Sequence, residues 1–236
     1  MKPKLSICIC VFNKKSFTIN CIKDLLHLKD VEIIIVDNAS SDGTKEELEN
    51  RKDIIYYRSE KNLGFAGGSN IAYNLSTSDN IMFLNNDISV RSNKEDWVNI
   101  IIENCHRGLV GPTMGQLDKN LNFIKESNSY LNGISYMSGW CLSSSRGNWE
   151  KLHIPRKTKN IFKWQIFSEE YFAYFEDTSL SLKARQIKIP FIIIDVPVVH
   201  FKKQTSCQLN TGSLYSNSRN IFLKNWGTKI KKLKFD

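Results

Sequence analysis

Apolar residues follow two alternating spacings along the first half of the chain, and these spacings predict strands and helices in turn. Continuous apolar runs have the length of buried strands at 5–12, 31–36, 54–57 and 81–84. Between them, Phe17, Cys21, Leu25 and Leu28 recur on one helical face, and residues 65–75 are typical of another helix. Thr44 and Glu47 have the form of a capping box that opens a helix between the second and third strands.

This alternation of strand and helix favours right-handed crossovers and a mostly parallel central sheet. Strands that are apolar throughout indicate a sheet covered by helices on both faces. We therefore predict an α/β fold. From about residue 109 the pattern loosens, and a helical stripe returns over 162–175. The second half is interpreted as an elaboration of the same domain, so we expect one domain over residues 1–236.

Composition narrows the class of protein without giving a function. The 236 residues are 41% hydrophobic, which is enough for a real core and excludes intrinsic disorder. Lys plus Arg minus Asp plus Glu is 33 − 24 = +9, so anionic partners are favoured. The six cysteines form no CxxC pair and have no zinc-like His spacing, which argues against a structural metal site and indicates reduced thiols. No apolar run has the length of a membrane-spanning helix, and we expect a cytoplasmic protein.

Polar residues follow three of the predicted strands at the point where each strand ends. Asn13 follows the first strand, Asp37 and Asn38 the second, and Asn85-Asn86-Asp87 the fourth. Ligands of open parallel sheets bind at these carboxyl ends, so the three positions together predict a polar ligand.

Two common nucleotide sites are excluded by position. A dinucleotide fingerprint needs glycines directly after the first strand, and residues 11–16 contain none. No GxxxxGK[ST] motif is present, which excludes a P-loop. The glycine-rich segment at 62–70 follows the third strand instead.

Ordered motifs carry a resemblance over nearly the whole chain. They are Ser6-Ile-Cys-Ile-Cys-Val-Phe-Asn13, Val36-Asp-Asn-Ala-Ser-Ser-Asp-Gly-Thr44, Asn62-Leu-Gly-Phe-Ala-Gly-Gly-Ser-Asn70, Phe83-Leu-Asn-Asn-Asp87, Ser138-Gly-Trp140, Tyr171-Phe-Ala-Tyr-Phe-Glu-Asp-Thr-Ser-Leu180, Val199-His-Phe201 and Arg219-Asn220. Together they resemble family 2 glycosyltransferases, and within them a rhamnosyltransferase-like subgroup. The resemblance implies a GT-A fold, with a nucleotide-sugar-binding half at 1–108 and an acceptor-binding half at 109–236.

The reaction that the resemblance implies is an inverting transfer of a sugar from a nucleoside diphosphate donor to a hydroxyl of a glycan or lipid-linked acceptor. The subgroup's name suggests rhamnose from a deoxythymidine diphosphate donor. Such a leaving group needs a divalent cation, Mn²⁺ or Mg²⁺. Asp87 matches the last carboxylate of the family's Asp-x-Asp motif, with Asn85 at its first position, and His200 matches a second metal ligand, one that suits Mn²⁺ better than Mg²⁺.

Asp177 matches the family's general base, and Glu176 stands beside it. A neighbouring like charge raises the pKa of one carboxyl, which suits a base that works near neutral pH. The alternative interpretation is that the two acids stabilise the beginning of a helix, and both roles are compatible.

Substrate-binding residues are also implied by matched positions. The donor-binding set is Val11, Phe12, Asn13, Asp37, Asn38, Asn62, Gly64, Asn70, Asn86 and Arg219. Gly139 and Trp140 match an acceptor-side loop, where an indole face stacks on a sugar ring. Phe12 could equally be a core aromatic, and Arg219 could equally form a surface salt bridge.

Lysines concentrate near the C-terminus, at 202, 203, 224, 229, 231, 232 and 234. Phe222, Trp226, Ile230 and Leu233 share one helical face among them. Such a segment can lie on an anionic membrane. A packed helix with a solvated lysine face is the alternative.

Other classes stay open at this point. A sugar nucleotidyltransferase shares the sheet and metal but usually has a glycine-rich loop after the first strand. A nucleic-acid-binding protein fits the +9 charge, yet no reader motif is present and no nucleic acid is expected. A glycoside hydrolase needs two separated carboxylates, and the Glu176-Asp177 pair offers only one location.

Overall fold

The structure is a computed structural model that describes residues 2–91, 96–155, 162–201 and 211–233. Its strands are β1 (Leu5–Val11), β2 (Val31–Asp37), β3 (Ile55–Arg58), β4 (Asn80–Leu84), β5 (Ile88–Val90), β6 (Leu109–Gly111), β7 (Met114–Leu117), β8 (Phe123–Ser127), β9 (Ser135–Met137), β10 (Cys141–Ser145), β11 (Phe191–Ile193) and β12 (Val198–His200). Its helices are α1 (Lys15–Leu25), α2 (Thr44–Leu48), α3 (Gly64–Leu75), α4 (Asp96–Cys105), α5 (Arg146–Lys151), α6 (Glu176–Gln186), α7 (Thr211–Trp226) and a 3₁₀ helix at Ile230–Lys232.

The central sheet has seven strands in the order β11-β6-β10-β4-β1-β2-β3. β3, β2, β1 and β4 are parallel neighbours, with Ile7 opposite Ile33 on one side and Met82 on the other. β10 runs antiparallel between β4 and β6, and β11 is parallel to β6. The sheet is therefore mostly parallel, which confirms the predicted fold class.

Helices cover both faces of this sheet. Ile7 and Ile9 point into one cluster with α1 and α4, whereas Cys8 points into a second cluster on the opposite face with α3, α5 and α6. Side chains of a strand alternate between the two faces, so a strand buried on both must be apolar throughout. This is why β1 reads as one continuous apolar run.

Two smaller sheets flank the central one. β5 pairs antiparallel with β12, and β7 pairs with β8 and β9 in a three-stranded antiparallel sheet. The first of these joins residues more than 100 positions apart and lies next to the carboxyl end of β4. Both contribute residues to the cavity described below.

Two local predictions are wrong. The capping box at Thr44 is not formed, because Gly43 occupies the N-cap with φ +84° and the Asp42 carboxylate accepts a hydrogen bond from the Thr44 hydroxyl. Residues 162–175, predicted to be helical, contain no helix, and α6 begins only at Glu176. The side chains of Asn70 and Asn74 bind the backbone of residues 164–167 and hold that segment in an irregular path.

The C-terminal apolar stripe packs inside the protein. Phe222, Trp226 and Ile230 are buried in a third cluster with Phe175 and Leu182. The packed-helix alternative therefore describes these side chains, and contact with an anionic membrane stays a prediction. Lys202, Lys203, Cys207 and Lys234 lie outside the described residues.

The five cysteines that the structure describes are free thiols, and they are Cys8, Cys10, Cys21, Cys105 and Cys141. Within the described residues, every helix is too short or too polar to span a bilayer.

Candidate active site

A cavity of about 420 Å³ opens at the carboxyl ends of β1, β2 and β4. Residues distant in sequence converge there, including the two predicted metal ligands and the predicted base. Its lining consists of Cys10, Val11, Phe12, Asn38, Asn62, Gly64, Phe65, Asn85, Asn86, Asp87, Phe123, Glu126, Tyr136, Ser138, Gly139, Trp140, Phe172, Ala173, Tyr174, Glu176, Asp177, His200 and Leu214. Twelve of the sixteen site residues predicted from the sequence are among them.

The two predicted metal ligands, Asp87 and His200, are brought together by the small β5–β12 sheet. In that sheet His200 stands opposite Ile88, the residue that follows Asp87. The Phe201 N–H donates to the Asp87 carbonyl oxygen over 2.8 Å. The His200 Nε2 atom consequently lies 3.1 Å from Asp87 Oδ1 and 3.2 Å from Asn85 Nδ2. Strand pairing thus brings together two side chains separated by 113 positions.

The chemistry of this pair fits a divalent cation. A carboxylate oxygen and a ring nitrogen 3.1 Å apart are both electron-rich, so they need a shared proton or cation between them. Among the described residues, no group of three or more His, Cys, Asp and Glu side chains forms a complete cation site. Asp87 and His200 would therefore need further ligands to complete a cation site, and phosphate oxygens of a bound molecule are of a suitable type.

Trp140 lies directly against His200, one of the two predicted metal ligands. Its indole stacks on the His200 imidazole with a centroid separation of 4.9 Å and an interplanar angle of 12°. The indole N–H donates to Thr113 Oγ1 over 2.9 Å and to Glu126 Oε1 over 3.1 Å. The face that meets His200 is covered, so the sugar stacking that the resemblance implies for Trp140 stays a prediction for the opposite face alone.

Asp177 and Glu176 are the first two residues of α6. Tyr174 and Phe175 both have left-handed backbone conformations, with φ of 71° and 66°, and turn the chain into the helix at this point. Such conformations are strained for residues with a β-carbon and are typical of functional sites. The helix-start interpretation and a position in the cavity therefore both hold.

Asp177 is oriented by hydrogen bonds at both carboxylate oxygens. The Gly139 N–H donates to Oδ2 over 2.9 Å, and the Thr178 N–H donates to Oδ1 over 2.6 Å. Burial raises the pKa of Asp177, and these hydrogen bonds offset part of the rise. Gly139 lies close to this side chain, since a β-carbon on it would lie 3.0 Å from Asp177 Cβ and would require Asp177 to shift by a few tenths of an ångström.

Glu176 has the opposite environment. Its Oε2 atom is buried and has no hydrogen-bond partner. Burial raises the pKa of Glu176 to about 8, with the adjacent Asp177 charge as a second cause. Because Asp177 has hydrogen-bond donors and Glu176 Oε2 has none, the surroundings stabilise a negative charge better on Asp177 than on Glu176.

The other end of the cavity is formed by the loop between β3 and α3. Gly64 has φ +70°, and its N–H donates to Asn62 Oδ1 over 2.9 Å. The Gly64 carbonyl accepts a 2.9 Å hydrogen bond from Asn38 Nδ2, which joins this loop to the end of β2. Asn86, at the end of β4, donates to Thr18 Oγ1 on α1 over 2.9 Å. Val11 and Phe12 complete this part of the lining.

Three of the predicted donor residues lie behind the cavity lining. Asp37 is fully buried, where its carboxylate accepts hydrogen bonds from Tyr56, Arg58 and the Ser40 N–H. Asn13 holds the loop that follows β2, because its N–H donates to Ser40 Oγ and its Oδ1 accepts a hydrogen bond from the Ser41 N–H.

Asn70 is also fully buried, and its amide joins α3 to the backbone of Ile166 and Phe167. Asn13, Asp37 and Asn70 thus support the cavity wall instead of lining it, because these hydrogen bonds engage their side chains within the protein.

The predicted position of Arg219 is also corrected. This residue lies on α7 outside the cavity, and its guanidinium donates to Asn120 O over 3.1 Å and to Asn122 Oδ1 over 3.0 Å. It therefore holds the turn between β7 and β8. The alternative prediction for Arg219, a surface salt bridge, is closer to this arrangement, although its partners are a carbonyl and an amide oxygen and not a carboxylate.

Several lining residues were not predicted from the sequence. Asn85 and Phe172 through Tyr174 stand inside recognised motifs, so their position beside Asp87 and Asp177 was a usable signal. Glu126 and Phe123 carried no such signal, since they belong to a mostly exposed strand, β8. Ile124 is an extra residue in the pairing of β7 with β8, and this bulge places Phe123 on the same face of the strand as Glu126.

Comparison with known proteins agrees with this fold. The family described as Glycosyl transferase family 2 matches residues 6–174. A cholesterol galactosyltransferase of Borreliella burgdorferi is 33% identical over 96 residues, which are 39% of this chain and 27% of that protein. The chain thus spans about a quarter of the length of that relative.

One of the matched solved structures shows the same fold. The mannosyltransferase PcManGT from Pyrobaculum calidifontis, solved in complex with GDP-Man and Mn²⁺, superposes with a TM-score of 0.59 at 15% identity, over 82% of this chain and 55% of that one. S. aureus TarS 1-349 in complex with UDP matches over 45% of this chain and 34% of its own, at 17% identity and a TM-score of 0.39. The fold is GT-A, and since the family match covers well over half of the sequence, the chain belongs to glycosyl transferase family 2.

Proposed function

We propose that this protein is an inverting glycosyltransferase that moves a sugar from a nucleoside diphosphate donor to an acceptor hydroxyl with the help of a divalent cation. The observation that carries the proposal is the convergence of Asp87, His200 and Asp177 on one cavity from three distant parts of the chain. The family and the names of the relatives support the class of reaction, since they include galactosyl and mannosyl transfer and the ligands GDP-Man, UDP and Mn²⁺.

Asp87 and His200 would hold the cation together with the oxygens of the diphosphate. A bound Mn²⁺ or Mg²⁺ supplies positive charge that stabilises the leaving diphosphate. The imidazole ligand favours Mn²⁺ over Mg²⁺. The absence of a third protein ligand among the described residues agrees with a cation that binds together with the donor.

Asp177 would act as the general base. In a single displacement its carboxylate takes the proton from the acceptor hydroxyl, whose oxygen forms the new bond to the sugar C1. The bond between C1 and the diphosphate breaks at the same time, and the diphosphate leaves with the electron pair. The hydrogen bonds from Gly139 and Thr178 orient this carboxylate and stabilise its ionised form.

The donor would bind between the β1 end and the loop at 62–64, and the acceptor would enter beside Gly139 and Asp177. Both proposed halves of the chain, 1–108 and 109–236, contribute to the cavity. The rhamnosyltransferase-like subgroup, and a glycan or lipid-linked acceptor, remain part of this proposal. They rest on the motifs in the sequence.

The test combines nucleotide binding with turnover. We expect one of UDP, GDP or dTDP to raise the thermal midpoint of the protein when MnCl₂ is present, and to do so less in EDTA. We expect Asp177→Asn to keep this shift but to lower the release of that diphosphate from its nucleotide sugar by about 10²- to 10⁴-fold. Asp195 is an exposed carboxylate outside the cavity, so Asp195→Asn is the matched control and should leave turnover unchanged.

Parental turnover in Asp177→Asn would refute the assignment of the base. A failure of all three nucleotides to stabilise the protein in MnCl₂ would refute the donor class. Release of pyrophosphate from a nucleoside triphosphate would instead indicate a sugar nucleotidyltransferase.

A further inference from the structure

We infer that Trp140 is a positioning residue for the metal-ligand imidazole, and that Glu126 in turn fixes the orientation of Trp140. The inference rests on the proposed function, because it assigns His200 to the cation. It gives Trp140 a role beyond the acceptor contact that its motif implies, and it gives Glu126 a role where the motifs give none.

The first step is the contact between the two rings. The imidazole of His200 lies flat on the indole of Trp140, with centroids 4.9 Å apart and planes 12° from parallel. This contact restricts rotation of the imidazole about its bond to Cβ and so keeps Nε2 beside Asp87 Oδ1. If His200 held a cation, its imidazole would become more electron-poor and its attraction to the electron-rich indole face would be stronger.

The second step is the anchoring of the indole at its far edge. Its N–H donates to both Thr113 Oγ1 and Glu126 Oε1, and the Thr113 hydroxyl donates to the same Glu126 oxygen over 2.8 Å. These three side chains form a closed triangle of hydrogen bonds. Glu126 is brought there by the pairing of β7 with β8, in which it stands opposite Gly115.

The third step is the backbone connection to the same ligands. The Trp140 carbonyl accepts a 2.8 Å hydrogen bond from the Asn85 N–H, and Asn85 Nδ2 lies 3.2 Å from His200 Nε2. Trp140 therefore contacts His200 through its ring and the segment before Asp87 through its backbone. Groups that orient a metal ligand in this way typically change metal affinity when they are removed.

The chain offers an internal comparison. His153 and Trp164 form a second histidine–tryptophan pair with a centroid separation of 5.0 Å, but their planes are 81° apart and neither residue lines the cavity. Replacement of Trp164 therefore removes a tryptophan beside a histidine without touching the proposed cation site.

The experiment measures Mn²⁺ binding directly. MnCl₂ is titrated into the full chain with saturating UDP, and separately with GDP and dTDP, and free Mn²⁺ is counted by its electron paramagnetic resonance signal. We expect Trp140→Leu to weaken Mn²⁺ binding by about 10- to 100-fold, and Glu126→Ala by about 10-fold. Trp140→Phe keeps a ring on His200 but removes the N–H that donates to Glu126, so it should weaken Mn²⁺ binding by about 10-fold, as Glu126→Ala does. Trp164→Leu should bind Mn²⁺ as the parent does.

A second readout separates positioning from general damage. Diphosphate release in Trp140→Leu should recover toward the parental rate as MnCl₂ is raised, so that the Mn²⁺ concentration at half-maximal rate changes far more than kcat. Glu126→Ala and Trp140→Phe keep the test valid if Trp140→Leu does not fold.

Three outcomes separate this inference from the proposed function. Parental Mn²⁺ affinity in both Trp140→Leu and Glu126→Ala, together with a loss in Asp87→Asn, would overturn the positioning role alone. Parental affinity in Asp87→Asn would overturn the proposed cation site and the inference with it. The same holds if the parent binds no Mn²⁺ with any of the three nucleotides.

Discussion

Gly64 and Phe172 meet so closely that the cavity wall leaves no space for a side chain between them. A β-carbon on Gly64 would lie 2.1 Å from the Phe172 carbonyl oxygen, which also accepts a 3.0 Å hydrogen bond from the Phe65 N–H. The loop after β3 thus contacts the segment before Glu176 through backbone alone. This contact joins the donor end of the cavity to the end that carries Asp177.

We expect Gly64→Ala to destabilise the protein by about 2 kcal/mol or more, because the alanine meets the Phe172 backbone and must adopt a positive φ. The control is Gly147→Ala in α5, where an added β-carbon has no neighbour within 4 Å. That change should stabilise the protein by up to about 1 kcal/mol. Urea unfolding measures both, and equal stabilities for the two variants would contradict the contact.

The raised pKa of Glu176 leads us to expect a specific pH dependence of the free energy of unfolding. Its pKa in the folded protein, about 8, exceeds the ordinary value of 4.5, so the folded state binds the proton more tightly than the unfolded state does. The stability contributed by this group should therefore be fully present below about pH 4.5 and should fall by a few kcal/mol as the pH rises through 8. Asp177 contributes in the same direction.

Glu176→Gln removes the ionisation and should flatten this decline. The unfolding free energy of the parent and the variant, measured at about pH 5, 7 and 9, gives the comparison. Glu103→Gln, at an exposed position on α4, should leave the slope unchanged. A parental slope in Glu176→Gln would show that the carboxyl is not the group responsible.

Arg219→Ala should leave nucleotide affinity within about twofold of the parent, because its guanidinium binds the exposed turn at 120–122 and not the cavity. Calorimetric titration with a nucleoside diphosphate and MnCl₂ measures this. Asp87→Asn is the comparison that should lose affinity. A loss in Arg219→Ala as large as that in Asp87→Asn would restore the pyrophosphate contact implied by the sequence.

Asn70→Ala should cost about 3 kcal/mol of stability, because it leaves buried N–H and C=O groups near Ile166 and Phe167 without partners. Chemical denaturation measures this loss. Asn104→Ala removes two exposed hydrogen bonds, one to the Ile100 carbonyl and one from Arg107, and should cost less than about 1 kcal/mol. If both variants unfold at the same denaturant concentration, Asn70 does not hold the 164–167 segment.

How far the sequence predicts the structure depends on the range of the interactions involved. β1 and β2 were recognised because a strand buried on both faces is apolar at most of its positions. The segment at 162–175 was predicted wrongly, because its apolar residues have helical spacing while its backbone is bound by Asn70 and Asn74, which stand 90 or more positions earlier. Local periodicity contains no information about such a distant partner.

The same distinction between local pattern and distant contacts applies to the candidate site. The sequence by itself determined the alternation that produces a GT-A sheet, the polar strand ends that point to one edge, and the identity of Asp87, Asp177 and His200 as the residues with suitable chemistry. Only the tertiary structure decided that Asp37 and Asn70 turn inward, that Arg219 faces another loop, and that Glu126 reaches Trp140. The physical reason is that a residue's type fixes which bonds its side chain can form, whereas strand pairing and packing between distant segments fix which partner it meets.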